Sequence, residues 1–265
     1  MTYSLTWLPS VLEGAGLKVA EVDGWQNRGR GDVGSTLGVL CHHTAGPKAG
    51  NMPSLRTLIE GRSDLPGPLA QLGLGRDGTF YVVAAGRCNH AGIGAWRGIN
   101  AGNTNFVGIE AENTGLSDEN WPVVQMNAYR HGVAALLAHA GLTAEFCAGH
   151  KEYAMPPGRK TDPDFDMVEF RRAVAAILAG AEPSLALIPK VTPDASGSAG
   201  KPTLRRGAAG GLVMQIQKAI GLANPSGVFD AYTEAAVRAF QRTNDLVPDG
   251  IVGPKTWGKL NAVET

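Results

Sequence analysis

The chain is organised around Gly149-His150-Lys151-Glu152-Tyr153, a segment that runs on to Arg159-Lys160-Thr161-Asp162-Pro163. A histidine is followed twelve residues later by a carboxylate, and the loop between them is rich in proline, glycine and basic residues. A catalytic zinc site takes three protein ligands and leaves one position open, so a third ligand must come from elsewhere. Cys41-His42-His43-Thr44 offers it, at the end of the apolar run Leu37-Gly38-Val39-Leu40.

The pattern leaves two points about this metal site open. Adjacent residues on an extended chain point to opposite faces, so only one of His42 and His43 can reach the metal. Cys147 stands three residues before His150 and is a further candidate ligand, although such cysteines are more often small buried thiols.

Composition limits the classes of protein to consider. At 265 residues, one large and one small domain are expected, and a hydrophobic content of 43% with 18% charged residues is typical of a soluble globular protein. The formal net charge of zero argues against nucleic acid as a partner. The odd number of cysteines, three, favours a reducing compartment. A signal peptide and a membrane span are not evident, which predicts synthesis in the cytoplasm and no stable membrane association.

Strand and helix patterns alternate through residues 1–180 and predict an α/β domain with a mixed central sheet and flanking helices. Within Phe106–Asn113, alternation places Glu110 on the face opposite Val107 and Ile109. Long helices are predicted at 121–140 and 166–178, and a strand at 144–148. The stretch Gly73–Gly78 spells GxGxxG, but it leads into a strand rather than a helix, so we interpret it as a hairpin turn and not as a nucleotide site.

The last third of the chain has a different character. Residues 181–202 are rich in proline, serine and glycine, which is typical of a linker. Residues 203–265 contain two similar units 23 residues apart, in which a glycine turn leads into a helix start, and predict a small all-α module of three helices. The domains are therefore predicted as 1–180, with 1–35 as an N-terminal extension, and 203–265.

These residues point to a metal-dependent hydrolase, although they do not identify the bond. One of the two adjacent histidines, with His150 and Asp162, would hold zinc, which activates water and polarises a carbonyl. Glu110 lies on a strand that can bring it near the metal to accept the proton of that water. Lys160, two residues before Asp162, can stabilise the oxyanion of a tetrahedral intermediate.

Residues 36–170 resemble the zinc-dependent N-acetylmuramoyl-L-alanine amidases of the type 2 family, which includes phage T7 lysozyme and the peptidoglycan recognition proteins. The matching stretches are Leu40–Gly46, Asn89-His90-Ala91-Gly92, Val107-Gly108-Ile109-Glu110 and Gly149-His150 through Pro163. The resemblance selects His42 over His43, because the family's metal histidine is followed by any residue and then threonine or serine. It also implies His150 and Asp162 as the other ligands.

The same resemblance implies further roles. Glu110 and Lys160 match catalytic residues, and His90 matches a pocket histidine that does not bind metal, so it is expected in the substrate cleft. Trp96 and Asn113 are further candidates for substrate binding. The loop between His150 and Asp162 is longer than in compact members, which leaves Asp164 and Asp166 as alternative third ligands.

Residues 204–260 are similar to the peptidoglycan-binding type 1 module, through Phe240-Gln241, Asp249–Gly253 and Thr256-Trp257. The two resemblances together imply hydrolysis of the amide between N-acetylmuramic acid and L-alanine in peptidoglycan, as in a phage or prophage endolysin. Such a protein would act on the cell wall after release, with a holin acting separately as a candidate partner. The alternatives are a recognition protein without catalysis, a zinc peptidase that cuts within the stem peptide, and a host enzyme for wall recycling or division.

Overall fold

The computed structural model describes residues 3–180, 201–222, 225–246 and 250–263. The chain divides into two units, Met1–Val19 with Gly24–Ile188 and Ala20–Asp23 with Pro189–Thr265. Most of the predicted linker, residues 181–200, lies outside the described residues, so its boundaries stay a prediction. Within the described ranges, the helices lack the length and apolar character needed to cross a membrane.

A mixed six-stranded sheet with flanking helices forms the centre of the first unit, which confirms the predicted fold class. The strands are β1 Lys18–Glu21, β2 Gly38–His43, β3 Gly61–Arg62, β4 Leu65–Pro66, β5 Leu72–Leu74, β6 Thr79–Val82, β7 Phe106–Ala111 and β8 Cys147–Gly149. The helices of this unit are α1 Leu8–Gly14, α2 Leu55–Glu60, α3 Gly102–Asn105, α4 Val123–His139, α5 His150–Tyr153 and α6 Met167–Leu178. The sheet order is β1-β6-β5-β7-β2-β8, while β3 and β4 form a separate ribbon.

Strand β2 lies between β7 and β8, and it runs parallel to both. All six of its residues are buried, as expected for a parallel strand covered on both faces. Val39 and Cys41 belong to the main core, together with Tyr129 of α4 and Phe170 of α6. Leu40 points to the opposite face and belongs to a smaller apolar cluster. Alternation places His42 on this same face, at the end of the strand.

The GxGxxG stretch is a hairpin, as predicted. β5 and β6 pair antiparallel, with Leu74 opposite Phe80, and the chain reverses at Asp77-Gly78. Gly78 has a φ of 79°, a left-handed conformation that glycine adopts readily. A dinucleotide site would need this stretch to open a helix, so the structure rules out that function for it.

The strand predicted at 144–148 is wrong at its start. Ala144–Phe146 forms a 3-10 turn, in which the N–H of Phe146 donates to the carbonyl of Thr143 at 3.1 Å, and only Cys147–Gly149 forms a strand. Only this shorter segment pairs with the sheet, where Cys147–Gly149 lies alongside Val39–Cys41. His150 therefore follows directly after a strand end that adjoins β2.

The second unit contains α7 Gly211–Ala219, α8 Ala231–Thr243 and α9 Pro254–Val263, which confirms the predicted three-helix module within the described residues. Its core contains Val213, Ile216, Phe229, Val237, Val252, Trp257 and Leu260.

The repeat detected in the sequence corresponds to a repeated hydrogen-bond arrangement. In the first copy, Gln217 Oε1 accepts from the N–H of Gly227 at 2.8 Å. Its Nε2 donates to the Val228 carbonyl at 2.9 Å and to the Thr233 hydroxyl at 2.8 Å. One buried amide therefore ties the end of a helix to the glycine turn and to the start of the next helix.

The second copy uses Gln241 in the same way. Its Oε1 accepts from the N–H of Gly250 at 2.8 Å, and its Nε2 donates to the Ile251 carbonyl at 2.9 Å and to the Thr256 hydroxyl at 3.2 Å. Because buried polar groups are costly unless paired, these glutamines define the geometry of both turns. The two units are therefore repeated in structure as well as in sequence.

Candidate metal centre

The parallel pairing of β2 with β7 brings two predicted residues side by side. His42 is the register partner of Glu110, and both lie at the carboxyl ends of their strands. They share the face of Leu40 rather than that of Cys41, as alternation requires. His42 Nδ1 lies 3.9 Å from Glu110 Oε1.

Three of the predicted residues converge at this strand end. His42 Nδ1 lies 3.0 Å from His150 Nδ1 and 3.1 Å from Asp162 Oδ2, and His150 Nδ1 lies 3.0 Å from the same oxygen. Tetrahedral zinc, with bonds of about 2.0–2.1 Å, holds its ligand atoms about 3.3 Å apart. Two ring nitrogens and one carboxylate oxygen in a triangle of this size therefore fit a zinc ion by both distance and donor type.

The backbone joins two of these ligands. The N–H of Lys151 donates to the carbonyl of Asp162 at 2.6 Å, so the residue after His150 is tied to the loop that carries the carboxylate. His150 Nε2 lies 3.0 Å from the carbonyl oxygen of Ala91. A carbonyl can only accept, so in the neutral ring Nε2 carries the proton and Nδ1 presents its lone pair to the other two ligands.

The charges of the ligand set also fit a cation. Burial lowers the pKa of His42 to about 4, against the opposing hydrogen bond with Asp162, so the ring is neutral at pH 7. Burial by itself would raise the pKa of Asp162, but hydrogen bonds with His150 and His42 outweigh it and hold that pKa below its usual value. Metal binding needs neutral imidazole and an ionised carboxylate, and the shifted pKa values of His42 and Asp162 favour those two states.

Glu110 lies beside the three ligands but keeps an unused oxygen. Burial raises its pKa well above the usual value, and the negative charge of Asp162 raises it further. The positive charge of Lys160 acts in the opposite direction on Glu110, which places that ammonium within electrostatic reach of the centre. Glu110 Oε2 is buried without a hydrogen-bond partner among the described residues, so this oxygen is available to accept a proton from a bound reactant.

His90 adjoins the centre from outside the ligand triangle. Its Nδ1 lies 3.2 Å from His42 Nε2, on the side of that ring away from the other ligands. The His90 ring lies against Gly108 of β7, where an added Cβ would come within 2.7 Å of His90 Cγ. The N–H groups of His90 and Ala91 both donate to Asn103 Oδ1, which fixes the loop. Burial keeps the pKa of His90 well below its usual value.

The alternative ligands lie elsewhere. His43 points to the other face of β2, where its ring contacts Trp121 and its Nδ1 lies 3.5 Å from Asp164 Oδ1. Asp164 also accepts a hydrogen bond from Trp121 Nε1 at 2.8 Å, and Asp166 accepts from Val168 and caps α6. The structure therefore brings together His42, His150 and Asp162. The alternatives His43, Asp164 and Asp166 are not part of this group.

The two remaining substrate candidates have structural partners. Trp96 Nε1 donates to the carbonyl of Glu145 at 2.9 Å. Asn113 is fully buried, and its Oδ1 accepts from the N–H of Gly115 at 2.8 Å in a turn. Its Nδ2 has no partner in the described part of the chain, so contact with a substrate stays a prediction for Asn113 as it does for Trp96.

Several supporting residues were missed by sequence reasoning. The hydroxyl of Tyr129 accepts from the N–H of His42 at 2.9 Å and lies 3.1 Å from the carbonyls of His42 and Ile109. Glu112 accepts from the hydroxyls of Thr44 at 2.8 Å and Ser54 at 2.9 Å, and so anchors the loop after β2. These residues act through distant backbone and hydroxyl groups, which leaves no local spacing to detect.

Two family models match this chain. A family model described as N-acetylmuramoyl-L-alanine amidase matches residues 33–165, and one described as a peptidoglycan binding domain matches residues 213–260. A curated protein from Kitasatospora aureofaciens, an uncharacterised product of the bpoA1 3' region, is 57% identical over 35 residues. That match spans 13% of this chain and only 30% of the relative.

Solved structures with partial likeness include a selenomethionine AmpD derivative, at 22% identity and a TM-score of 0.46 over 65% of this chain and 99% of that one. The endolysin amidase LysCS from Clostridium intestinale gives 17% identity and a TM-score of 0.44, over 58% and 93% of the two chains. Burkholderia AP3 phage endolysin is 42% identical over 23% of this chain and 25% of its own, with a TM-score of 0.22. Because the first family model covers half of the chain, and His42, His150 and Asp162 all fall within the matched residues, this protein belongs to the N-acetylmuramoyl-L-alanine amidase family.

Proposed function

We propose that this protein hydrolyses the amide bond between N-acetylmuramic acid and L-alanine in bacterial peptidoglycan, with zinc held by His42, His150 and Asp162. The observation that carries the proposal is the ligand triangle with Glu110 beside it, 3.9 Å from His42 Nδ1. Zinc, when bound, supplies a Lewis acid that polarises a carbonyl and makes water nucleophilic at neutral pH. The family match supports the choice of bond.

The residues around the ligands perform the proton transfers. Water adds its oxygen to the lactyl carbonyl carbon, and Glu110 accepts the proton that the water loses. Glu110 then returns that proton to the nitrogen of L-alanine as the carbon–nitrogen bond breaks, which leaves a carboxylic acid and a free amine. Burial raises the pKa of Glu110, which makes its carboxylate a stronger base than an exposed glutamate and suits it to accept a proton. Lys160 offers a positive charge to the oxyanion.

The second unit supports the same polymer as the target, because the peptidoglycan-binding model matches it independently of the first. In this proposal the module retains the enzyme on the wall, and the catalytic unit cuts nearby. The proposal includes an endolysin role, in which the protein reaches the wall after release and a holin acts separately. Two outcomes would replace the proposal: binding of the wall without turnover, and cleavage within the stem peptide.

Digestion of purified cell wall is expected to yield glycan strands with free muramoyl groups, together with intact stem peptides that begin with a new L-alanine amino group. Mass spectrometry of the products identifies the bond. A chelator should stop the reaction, and added zinc should restore it. Stem peptides cut internally would show a peptidase instead, and wall binding without any product would show a recognition protein.

Removal of residues 203–265 is expected to weaken sedimentation with insoluble wall by about tenfold or more, since linking a binding module to a catalytic unit raises the local concentration of substrate. Cleavage of a small soluble muramoyl peptide should stay within about twofold of the full chain, because the ligand triangle lies wholly in the first unit. Equal losses on both substrates would contradict a role in retention.

A further inference from the structure

A partly buried ion pair involves helix α5, which begins at His150. Arg171 on α6 contacts Glu152 on α5 through two hydrogen bonds, with Nη1 2.7 Å from Oε2 and Nη2 2.8 Å from Oε1. The two side chains are only 13% and 22% exposed, so water weakens this pair less than an ordinary surface pair. The catalytic roles proposed above use neither residue.

Glu152 connects the pair to the residue that precedes His150. Its Oε2 also accepts from the N–H of Gly149 at 2.9 Å. A return bond of this kind, from the third helical residue to the residue before the helix, is one half of a capping box. Helix α5 has four residues and is too short to be stable by itself, so the orientation of His150 depends on contacts such as this one.

Arg171 fixes the same helix to other parts of the fold. Its Nη1 donates to the carbonyl of Cys147 on β8 at 3.2 Å, and its guanidinium lies 5.1 Å from the centre of the Trp96 ring. One guanidinium thus joins α6, β8 and the loop of Trp96 to the helix that carries His150. The planar fork is needed for this geometry, because lysine offers a single point charge.

We propose that Glu152 and Arg171 are positioning residues that hold His150 in the orientation needed to bind the metal, an inference that rests on the proposed role of His150 as a zinc ligand. Neither residue touches the reacting atoms. Groups that orient a metal ligand typically account for about 10–100-fold in metal affinity, because the short ligand bonds tolerate little displacement.

The test measures the zinc dissociation constant of the full chain by competition with a chelator of known affinity. Arg171→Met and Glu152→Gln are each expected to weaken zinc binding about 10–100-fold. Arg172→Met is the matched control: it is the next residue on α6, and its ion pair with Glu169 is exposed, at 70% and 57%. The control should bind zinc as tightly as the unaltered protein.

The rise in Tm on adding zinc separates positioning from simple stabilisation. A positioning pair makes that rise smaller, whereas a merely structural pair lowers the Tm of zinc-free and zinc-loaded protein equally and leaves the dissociation constant unchanged, which would overturn the inference. If Arg171→Met does not fold, Arg171→Lys and Glu152→Gln provide the same readouts. If the unaltered protein binds zinc and the variants bind it equally tightly, this inference alone is overturned. If the unaltered protein binds no zinc, both this inference and the proposed zinc site are overturned.

Discussion

His150→Ala is expected to eliminate stoichiometric zinc and to lower the rate of wall hydrolysis about a thousandfold or more. The substitution removes one of three ligands and leaves His42 and Asp162, which lie 3.1 Å apart, as the only members of the triangle. Metal catalysis of hydrolysis is worth several kcal/mol, and each 1.36 kcal/mol corresponds to about a tenfold change in rate. Metal analysis of the purified protein and release of dyed wall fragments measure the two effects.

The control for this experiment is His139→Ala, since His139 lies exposed at the end of α4 and its ring contacts Trp7. It removes an imidazole without altering the ligand triangle, so zinc content and rate should stay near those of the unaltered protein. Retention of one zinc per chain by His150→Ala, with normal lysis, would show that the ion binds elsewhere or is not needed.

The architecture of this site could be predicted because its residues carry local signals. Alternation along β2 separates His42 from His43, and the structure places them on opposite faces as expected. The turn at Gly78 could be predicted because a strand pattern, and not a helix pattern, comes after it. The same observation argued against a nucleotide site. The strand at 144–148 was wrong in its first three residues, because pairing with β2, rather than local propensity, determines where β8 begins.

The supporting network could not be predicted from spacing. Glu152 reads as an ordinary acidic residue in a short helix, and its partner Arg171 follows nineteen residues later. Tyr129 reads as one more core position of α4, yet its hydroxyl contacts the backbone of His42 eighty-seven residues away. Contacts of this kind depend on how the elements are assembled, and a single sequence contains no pattern that reports them. The same holds for the carbonyl of Ala91, which any residue type could supply to His150.

Glu110→Gln is expected to retain zinc but to lower kcat about 10²–10⁴-fold, the usual effect of removing a general acid–base group. The amide has nearly the shape of the carboxylate, but it cannot take up and release a proton. The register partner His42 stays in place, because β2 is held by β7, β8 and Tyr129 rather than by Glu110. KM should change little, since Glu110 is proposed to act on the proton and not to bind the wall.

The measurements that check this prediction are zinc content, kcat and KM on a soluble muramoyl peptide. Glu60→Gln, an exposed carboxylate on α2 paired with Arg56, removes the same charge away from the centre and should leave all three unchanged. Loss of zinc in Glu110→Gln would show that Glu110 is needed for metal binding. Undiminished kcat with zinc bound would remove Glu110 from the chemistry and require a different proton acceptor. A large fall in kcat with zinc and KM intact would show that Glu110 acts only in the transition state, as a proton-transfer group does, because ligand and binding residues would each change one of the other two quantities.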